Sequence, residues 1–346
     1  MSGQSGSRAE EAELAQKLLH IVNSSWMSKA TYVAAQLGLA DLLADGPKRI
    51  EALAAATRCN ARALNQLMQG LCSLDICSQD ESGAYSITPM GRLLGTQARC
   101  SIRSWTLYWG GTASKFWDHL LDTVRTGESA RSRLLGSLGF EHLARDPEAA
   151  KIFNQAMAEL TRLVAIELAK VYDFAHKKVV DVGGGYGELL AVILEAYPTA
   201  RGVLFDMPHA IADARQLFNS RGLAGRCELV EGDFFASLPA GGDIYLLKSV
   251  IHDWNDERAR VILQNVRRAM GRDAKLLLAE RIMPERLTPS LENQALARSD
   301  LHMLVALAAQ ERSRAEFEAL LKSAGFTDIR FIDGVSTYCL IEAAPK

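Results

Sequence analysis

No run of apolar residues in this 346-residue chain approaches the length needed to cross a bilayer, which argues against a membrane-spanning helix. No signal peptide is expected either, since Met1-Ser2-Gly3-Gln4-Ser5-Gly6-Ser7 is a polar stretch expected to fray. Neither sign of charge is in excess. The 39 Lys and Arg stand against 41 Asp and Glu, and a formal net charge of -2 gives no reason to expect nucleic acid or an anionic membrane as a partner. Metal-ligand patterns are lacking too: the seven histidines are scattered, with no pair at helical ligand spacing, and no Cys-x-x-Cys occurs, so no metal is expected. The six cysteines (Cys59, Cys72, Cys77, Cys100, Cys227, Cys339) fall irregularly among apolar residues, which predicts buried free thiols in a reducing, cytoplasmic setting. What is present is a hydrophobic content of 48% and enough length for two domains.

The most informative stretch is Asp181-Val182-Gly183-Gly184-Gly185-Tyr186-Gly187, which follows apolar Val179 and Val180 and precedes a helical pattern at Leu189, Leu190, Val192 and Ile193. A strand, a glycine loop and a helix start make a cradle for a nucleotide-type cofactor, because the tight turn visits positive φ and a ligand cannot lie on backbone where a Cβ intrudes. A dinucleotide fingerprint needs glycine at the sixth place of the loop, and here that place is Glu188. Carboxylates just before and just after the loop repel a diphosphate and tolerate a cation. S-adenosylmethionine is such a ligand, a sulfonium with an ammonium and no phosphate.

Two further strands end in acids. Gly202 to Phe205 leads to Asp206, about 20 residues past the glycines, where a ribose-binding carboxylate belongs. Cys227 to Val230 leads to Glu231-Gly232-Asp233-Phe234, in which Asp233 can accept from an adenine amino group while Phe234 packs on the ring. Each acid alone is equally well a turn or cap residue. Together they lie at the carboxyl ends of successive strands, where ligands of open sheets bind.

The first hundred residues read differently. A helical pattern runs from about Glu10 to Ala44 and breaks at Asp45-Gly46-Pro47; two short helices follow, Ile50 to Ala56 and Asn60 to Leu74, the second with Asn60 as N-cap. Ile76 to Ile87, interrupted by Asp80-Glu81-Ser82-Gly83, reads as a hairpin. Helix, helix and hairpin suggest a winged helix. The second of these helices has Arg62 as its one cation in the stretch Ala61 to Gln69, too little for reading DNA, so a dimerisation module is the better account. The expected organisation is a mostly α-helical winged-helix dimerisation domain over 1–100, then a helical linker and a Rossmann-like α/β domain over 101–346.

A fourth strand, Ile244 to Val250, runs into His252-Asp253-Trp254, and a fifth, Lys275 to Ala279, into Glu280. With Phe205-Asp206-Met207-Pro208, Asp300-Leu301-His302-Met303-Leu304 and Glu311-Arg312-Ser313 these segments follow one another in an order that resembles the plant-type and bacterial small-molecule O-methyltransferases, the class I S-adenosylmethionine-dependent group that includes caffeic acid, hydroxyindole and antibiotic-tailoring enzymes. The resemblance covers most of the C-terminal half. It implies methyl transfer from S-adenosyl-L-methionine to a hydroxyl of a small aromatic metabolite, leaving S-adenosyl-L-homocysteine, by a homodimer whose N-terminal domain caps the partner's pocket.

By the same resemblance His252 is the general base and Glu280 and Glu311 orient it, a role that fits imidazole chemistry because a neutral histidine near pH 7 can take the proton of a hydroxyl. Glu311 has an alternative as a surface ion pair with Arg312 or Arg314. The cofactor residues implied are Asp181, Gly183, Gly185, Asp206, Met207, Gly232, Asp233, Phe234, Lys248 and Ser249. Phe153, Met157, Trp254, Met303 and His302 are expected at the acceptor. The sequence departs from the family where Ala308 and Ala309 replace glycine before Glu311, and where Ser249 stands in place of a tryptophan or arginine found in some relatives. Two other functions stay open on sequence alone. One is a relative that binds the same cofactor and hydroxylates, decarboxylates or cyclises. The other is a winged-helix regulator that senses a metabolite.

Overall fold

The helical stretch expected from Glu10 to Ala44 is three helices, Arg8–Asn23, Ser25–Gln36 and Leu39–Leu42, the last entered through Gly38 at φ 65°. The computed structural model describes residues 8–136, 139–335 and 337–346, so the polar stretch Met1 to Ser7 lies outside the described residues. The chain divides into two compact units after Thr112.

In the first unit, helices Ile50–Thr57 and Ala61–Ser73 precede an antiparallel hairpin, β1 (Cys77–Gln79) and β2 (Tyr85–Ile87). Asn60 caps the second helix by accepting from the Ala63 amide at 3.0 Å, which satisfies one of the orphan donors of a helix start. The hairpin turn is closed by Asp80, whose Oδ1 takes the Ser82 and Ala84 amides at 2.9 and 3.0 Å. Leu53, Leu64, Met68, Leu71 and Tyr85 form the core of this unit. Helix Arg103–Tyr108 belongs to it too, since the Arg103 guanidinium donates to the Ala35 carbonyl at 3.1 Å. The aromatic segment Trp105 to Trp109 therefore packs with the N-terminal unit, beyond the boundary at residue 100 drawn from the sequence. The helix Arg8–Asn23 buries none of its residues, and Leu14, Leu18, Ile21 and Val22 are each more than half exposed.

The second unit is built on a seven-stranded sheet in the order β5-β4-β3-β6-β7-β9-β8. The strands are β3 (Lys178–Val182), β4 (Arg201–Asp206), β5 (Cys227–Glu231), β6 (Ile244–Lys248), β7 (Lys275–Glu280), β8 (Phe326–Val335) and β9 (Tyr338–Pro345). The first five run parallel, and the last two are antiparallel. Alternate side chains go to opposite faces, so Val179, Leu204 and Leu246 enter one core layer while Val180, Val203 and Leu247 enter the other. Along β3, β4, β6 and β7 both faces are covered, and that is why these four strands read as apolar runs, whereas the edge strand β5 has no buried residue. The strand order reverses between β4 and β6, on either side of β3, which opens a crevice at the carboxyl ends of β3, β4 and β6. Among the described residues all six cysteines are free thiols, but only Cys77 and Cys339 are buried and Cys100 is exposed. No helix among the described residues is long and apolar enough to cross a membrane.

Candidate active site

The crevice is shaped first by three glycines at φ 70°, 58° and 80°, Gly183, Gly185 and Gly187, in the left-handed region that a side chain disfavours. Asp206, at the end of β4, reaches back across the turn: its Oδ2 accepts from the Gly185 amide at 2.8 Å and its Oδ1 from the Met207 amide at 2.6 Å. Asp181 stands beneath the loop, buried, with Oδ2 lacking a hydrogen-bond partner. Burial raises its pKa to about 7, Asp206 nearby adds to the rise, and Lys248 opposes it. An orphaned buried carboxylate under a glycine turn fits a cationic cofactor and is a poor match for a diphosphate. Glu188 contributes less to this selectivity than its position suggests, because Arg162 and Arg221 both pair with it.

A measurable consequence follows for binding. Below about pH 7 Asp181 carries a proton in the free protein, and a bound cation favours the carboxylate, so binding must expel that proton. Affinity for S-adenosylmethionine is expected to rise by up to about tenfold per pH unit below that point and to level off above it. Calorimetry in buffers of different ionisation enthalpy measures the proton released. Asp181→Asn should flatten the dependence, and a wild-type affinity independent of pH between about 6 and 8 would remove Asp181 from the site.

One cleft of about 170 Å³ is lined by Asp181, Gly183, Gly185, Asp206, Met207, Phe234, Lys248 and Ser249 and also by Phe153, Met157 and Trp254. Expected cofactor and acceptor residues thus share one cleft. Phe153 and Met157 come from the helix Pro147–Lys170, which Asp146 caps by accepting from Ala149 at 3.0 Å. Gly232 and Asp233 stand outside this lining. A Cβ on Gly232 would come within 2.4 Å of the Phe205 ring, so that glycine answers a packing need. Asp233 is exposed, and its Oδ1 accepts from the Phe235 amide at 2.8 Å, the local turn contact of an Asx residue. His302 and Met303 are buried in the helix Leu291–Leu307, also outside the lining. Trp117 donates to His302 Nδ1 at 3.3 Å, and burial, reinforced by the charges of Arg131, Arg298 and His252, lowers the His302 pKa to about 3, so the ring is neutral with its proton on Nε2.

Beside the cleft, the short turn Ile251–Asp253 that follows β6 carries His252, which is buried. Its Nδ1 donates to Glu311 Oε1 at 3.0 Å, and the same oxygen accepts from the Ser299 hydroxyl at 2.6 Å. Glu311 is buried and is not a surface ion-pair residue: Arg312 pairs with Asp256, and Arg314 with Asp333. Glu280 is 3.9 Å from Nδ1 through Oε2, beyond hydrogen-bond reach. Its Oε1 instead accepts from the backbone amides of Val250 and Ile251 at 3.1 and 2.8 Å. Arg312, fully buried, fastens the same turn from the other side by donating to the carbonyls of Ile251 and Trp254 at 3.0 and 2.7 Å. Burial pushes the His252 pKa down, but Glu311, Glu280 and Asp253 outweigh it and hold the imidazole above its ordinary value.

Asp253 and Ser299 are residues to which the sequence assigned no role, and Arg312 was read only as an alternative ion-pair partner of Glu311. Asp253 lines the cleft and lies with Oδ1 3.5 Å from His252 Nε2. Burial, partly offset by His252 and Arg131, raises its pKa to about 6. Its position inside the His252-Asp253-Trp254 segment was a signal that could have found it. Ser299 carried none, since only the packing of helix Leu291–Leu307 brings it to Glu311. Ala308, where glycine was expected, takes the left-handed conformation all the same, at φ 53°, and its amide closes the helix on the Leu304 carbonyl at 3.0 Å. The turn that presents Glu311 is kept at a backbone cost of about 1–2 kcal/mol.

Residues 117–327 match the model of an O-methyltransferase domain, and residues 19–97 that of an O-methyltransferase dimerisation domain. The chain is similar to a phenazine O-methyltransferase of Lysobacter antibioticus, 40% identical over 339 residues that cover 98% of each protein. It is also similar to a phenazine-1-carboxylate N-methyltransferase of Pseudomonas aeruginosa, 33% identical over 92% of this chain and 94% of that one. The human N-acetylserotonin methyltransferase in complex with S-adenosylmethionine superposes with a TM-score of 0.88 at 28% identity, covering 99% of both chains.

Proposed function

The chain belongs to the O-methyltransferase family, and from that premise we propose that this S-adenosylmethionine-dependent enzyme methylates a hydroxyl of a small aromatic metabolite, with His252 as general base. The observation that carries the reading is the buried His252–Glu311 pair, 3.0 Å apart, set beside the cleft where Asp181 and Asp206 meet Phe153 and Met157. The bound cofactor supplies an electrophilic methyl group and leaves as S-adenosylhomocysteine. Asp181, Asp206, Lys248 and the glycine turn hold it, and Phe234 packs on its ring system. Phe153, Met157 and Trp254 offer a flat acceptor aromatic faces and a thioether.

Glu311 accepts the hydrogen bond of the His252 Nδ1–H, which leaves Nε2 as the nitrogen that accepts the hydroxyl proton while the acceptor oxygen bonds to the methyl carbon and the bond from that carbon to the sulfonium breaks. Asp253, beside Nε2, steadies the imidazolium that results. Glu280 and Arg312 make their hydrogen bonds to the turn and none to the ring, holding the segment that carries the base, while the Glu280 charge still raises the imidazole pKa. Relatives named for a phenazine, a hydroxybenzoate and a naphthoate support an acceptor of that class.

The first unit is the dimerisation module, and we take the protein to be a homodimer joined through it. The support is the helix Arg8–Asn23, whose exposed Leu14, Leu18, Ile21 and Val22 form an apolar face with nothing over it within the chain's own described packing.

Incubation with methyl-labelled S-adenosylmethionine and a panel of hydroxylated phenazines, naphthoates and benzoates tests the reading. An O-methylated product formed in step with S-adenosylhomocysteine is expected. A product methylated on nitrogen would replace the hydroxyl acceptor by an amine, the chemistry for which the Pseudomonas relative is named. Cofactor consumption with an oxidised or decarboxylated product would overturn methyl transfer.

A further inference from the structure

Ser249, the residue after β6, is in the left-handed region at φ 53°, a conformation that strains any residue with a Cβ. It lines the cofactor cleft next to Lys248. Strain of this kind persists only where the surroundings over-determine it, and it collects at functional sites. Two contacts hold the turn. The Ser249 amide donates to the Ala279 carbonyl at 3.0 Å, and the Ser249 hydroxyl shares a hydrogen bond with the phenol of Tyr338 at 3.0 Å.

Tyr338 opens β9 and is buried, and neither the cofactor motifs nor the catalytic pair accounts for it. The Lys248 ammonium stands 5.4 Å from the centre of its ring and the Arg281 guanidinium 4.8 Å from it. The Lys248 ammonium also donates to the Ser249 hydroxyl at 3.4 Å, so cation, hydroxyl and phenol form one cluster at the edge of the cleft. Burial raises the pKa of this phenol, but Lys248, Arg281 and the Ser249 hydrogen bond bring it down to about 8, well below an ordinary tyrosine. Arg281 continues the cluster toward the base, since it lies 3.9 Å from Glu311.

We propose that Tyr338 is a positioning residue for the cofactor: its hydroxyl locks Ser249 in the left-handed turn that presents Lys248 and Ser249 to the cleft. The inference rests on the reading of that cleft as the S-adenosylmethionine site. It needs no contact between Tyr338 and the cofactor. It assigns the strain at Ser249 to a serine whose side chain is held by a tyrosine about ninety residues further on, in a strand that the glycine-loop motifs do not include.

Tyr338→Phe keeps the ring and removes only the hydroxyl. The dissociation constant for S-adenosylmethionine, measured by calorimetry on the full-length protein, is expected to rise about fivefold, the size of one lost hydrogen bond, and the loss should fall on the cofactor KM more than on kcat. Glycine adopts this φ without strain, so in a Ser249→Gly background the same Tyr338→Phe change should cost less than about twofold. Equal losses in the two backgrounds, or no loss of cofactor affinity in the single variant, would overturn the proposal. A general packing defect would lower affinity in both. Wild-type protein that fails to bind S-adenosylmethionine would instead refute the reading of the cleft itself, so the two failures are distinct.

Discussion

Replacing His252 by alanine should lower turnover by at least about 100-fold while leaving S-adenosylmethionine binding within a few-fold of wild type, the usual scale for loss of a general base. The separation follows from geometry. His252 is buried next to Asp253 and outside the cleft lining, so its removal deletes a proton acceptor and no cofactor contact. Steady-state assays and calorimetry read the two effects. The pH profile sharpens the expectation. Three carboxylates raise the imidazole pKa although burial opposes them, and Nε2 must be unprotonated to act, so kcat/KM should climb with pH through a limb above the ordinary histidine value of about 6.5. Glu311→Gln removes the largest of the raising charges and should move that limb toward acid while lowering the plateau. Near-normal turnover in His252→Ala would mean that positioning alone supplies the rate.

The second large effect is expected at Glu280. Deleting its carboxylate in Glu280→Ala leaves the buried amides of Val250 and Ile251 without acceptors, at about 1–3 kcal/mol each, and frees the turn that holds His252. The melting temperature should fall by several degrees, and kcat/KM by about 100-fold or more, because displacements of about 1 Å at a base have that scale. Glu280→Gln retains a carbonyl oxygen in the same place and should keep activity within about tenfold of wild type. If Gln proves as damaging as Ala, the charge of Glu280 matters and its hold on the backbone does not.

This division of labour between Glu280 and Glu311 was not legible in the sequence. Both glutamates were expected to orient the imidazole. Which one touches the ring depends on the direction of side chains leaving β7 and the turn before Arg314, and only packing sets that. The residues proposed for the cofactor share a placement: Asp181, Asp206, Lys248 and Ser249 each lie at or beside the carboxyl end of a strand, where the apolar run of the sequence gives its own boundary. Asp233 was read by the same rule, but its side chain is used in its local turn. His302 and Met303 depended on the rotation of one helix. The parallel strands β3, β4, β6 and β7 were visible because both faces are buried, and β5 from the short apolar stretch before Glu231-Gly232-Asp233. The final pair was not, since Asp328, Arg330 and Asp333 interrupt β8 and leave no clean alternation to count. Tyr338 begins the second strand of that unread pair, which is why no motif pointed to it.

If the uncovered helix Arg8–Asn23 is the dimer contact proposed above, the enzyme's behaviour is expected to be sensitive to dilution. A sixteen-residue amphipathic segment with no buried side chain gains little from its own chain, and helices of that length are marginal in water. In the homodimer proposed above, that order is supplied by mass action between copies, so specific activity and thermal midpoint are expected to fall on dilution, which a concentration series read by assay and calorimetry checks.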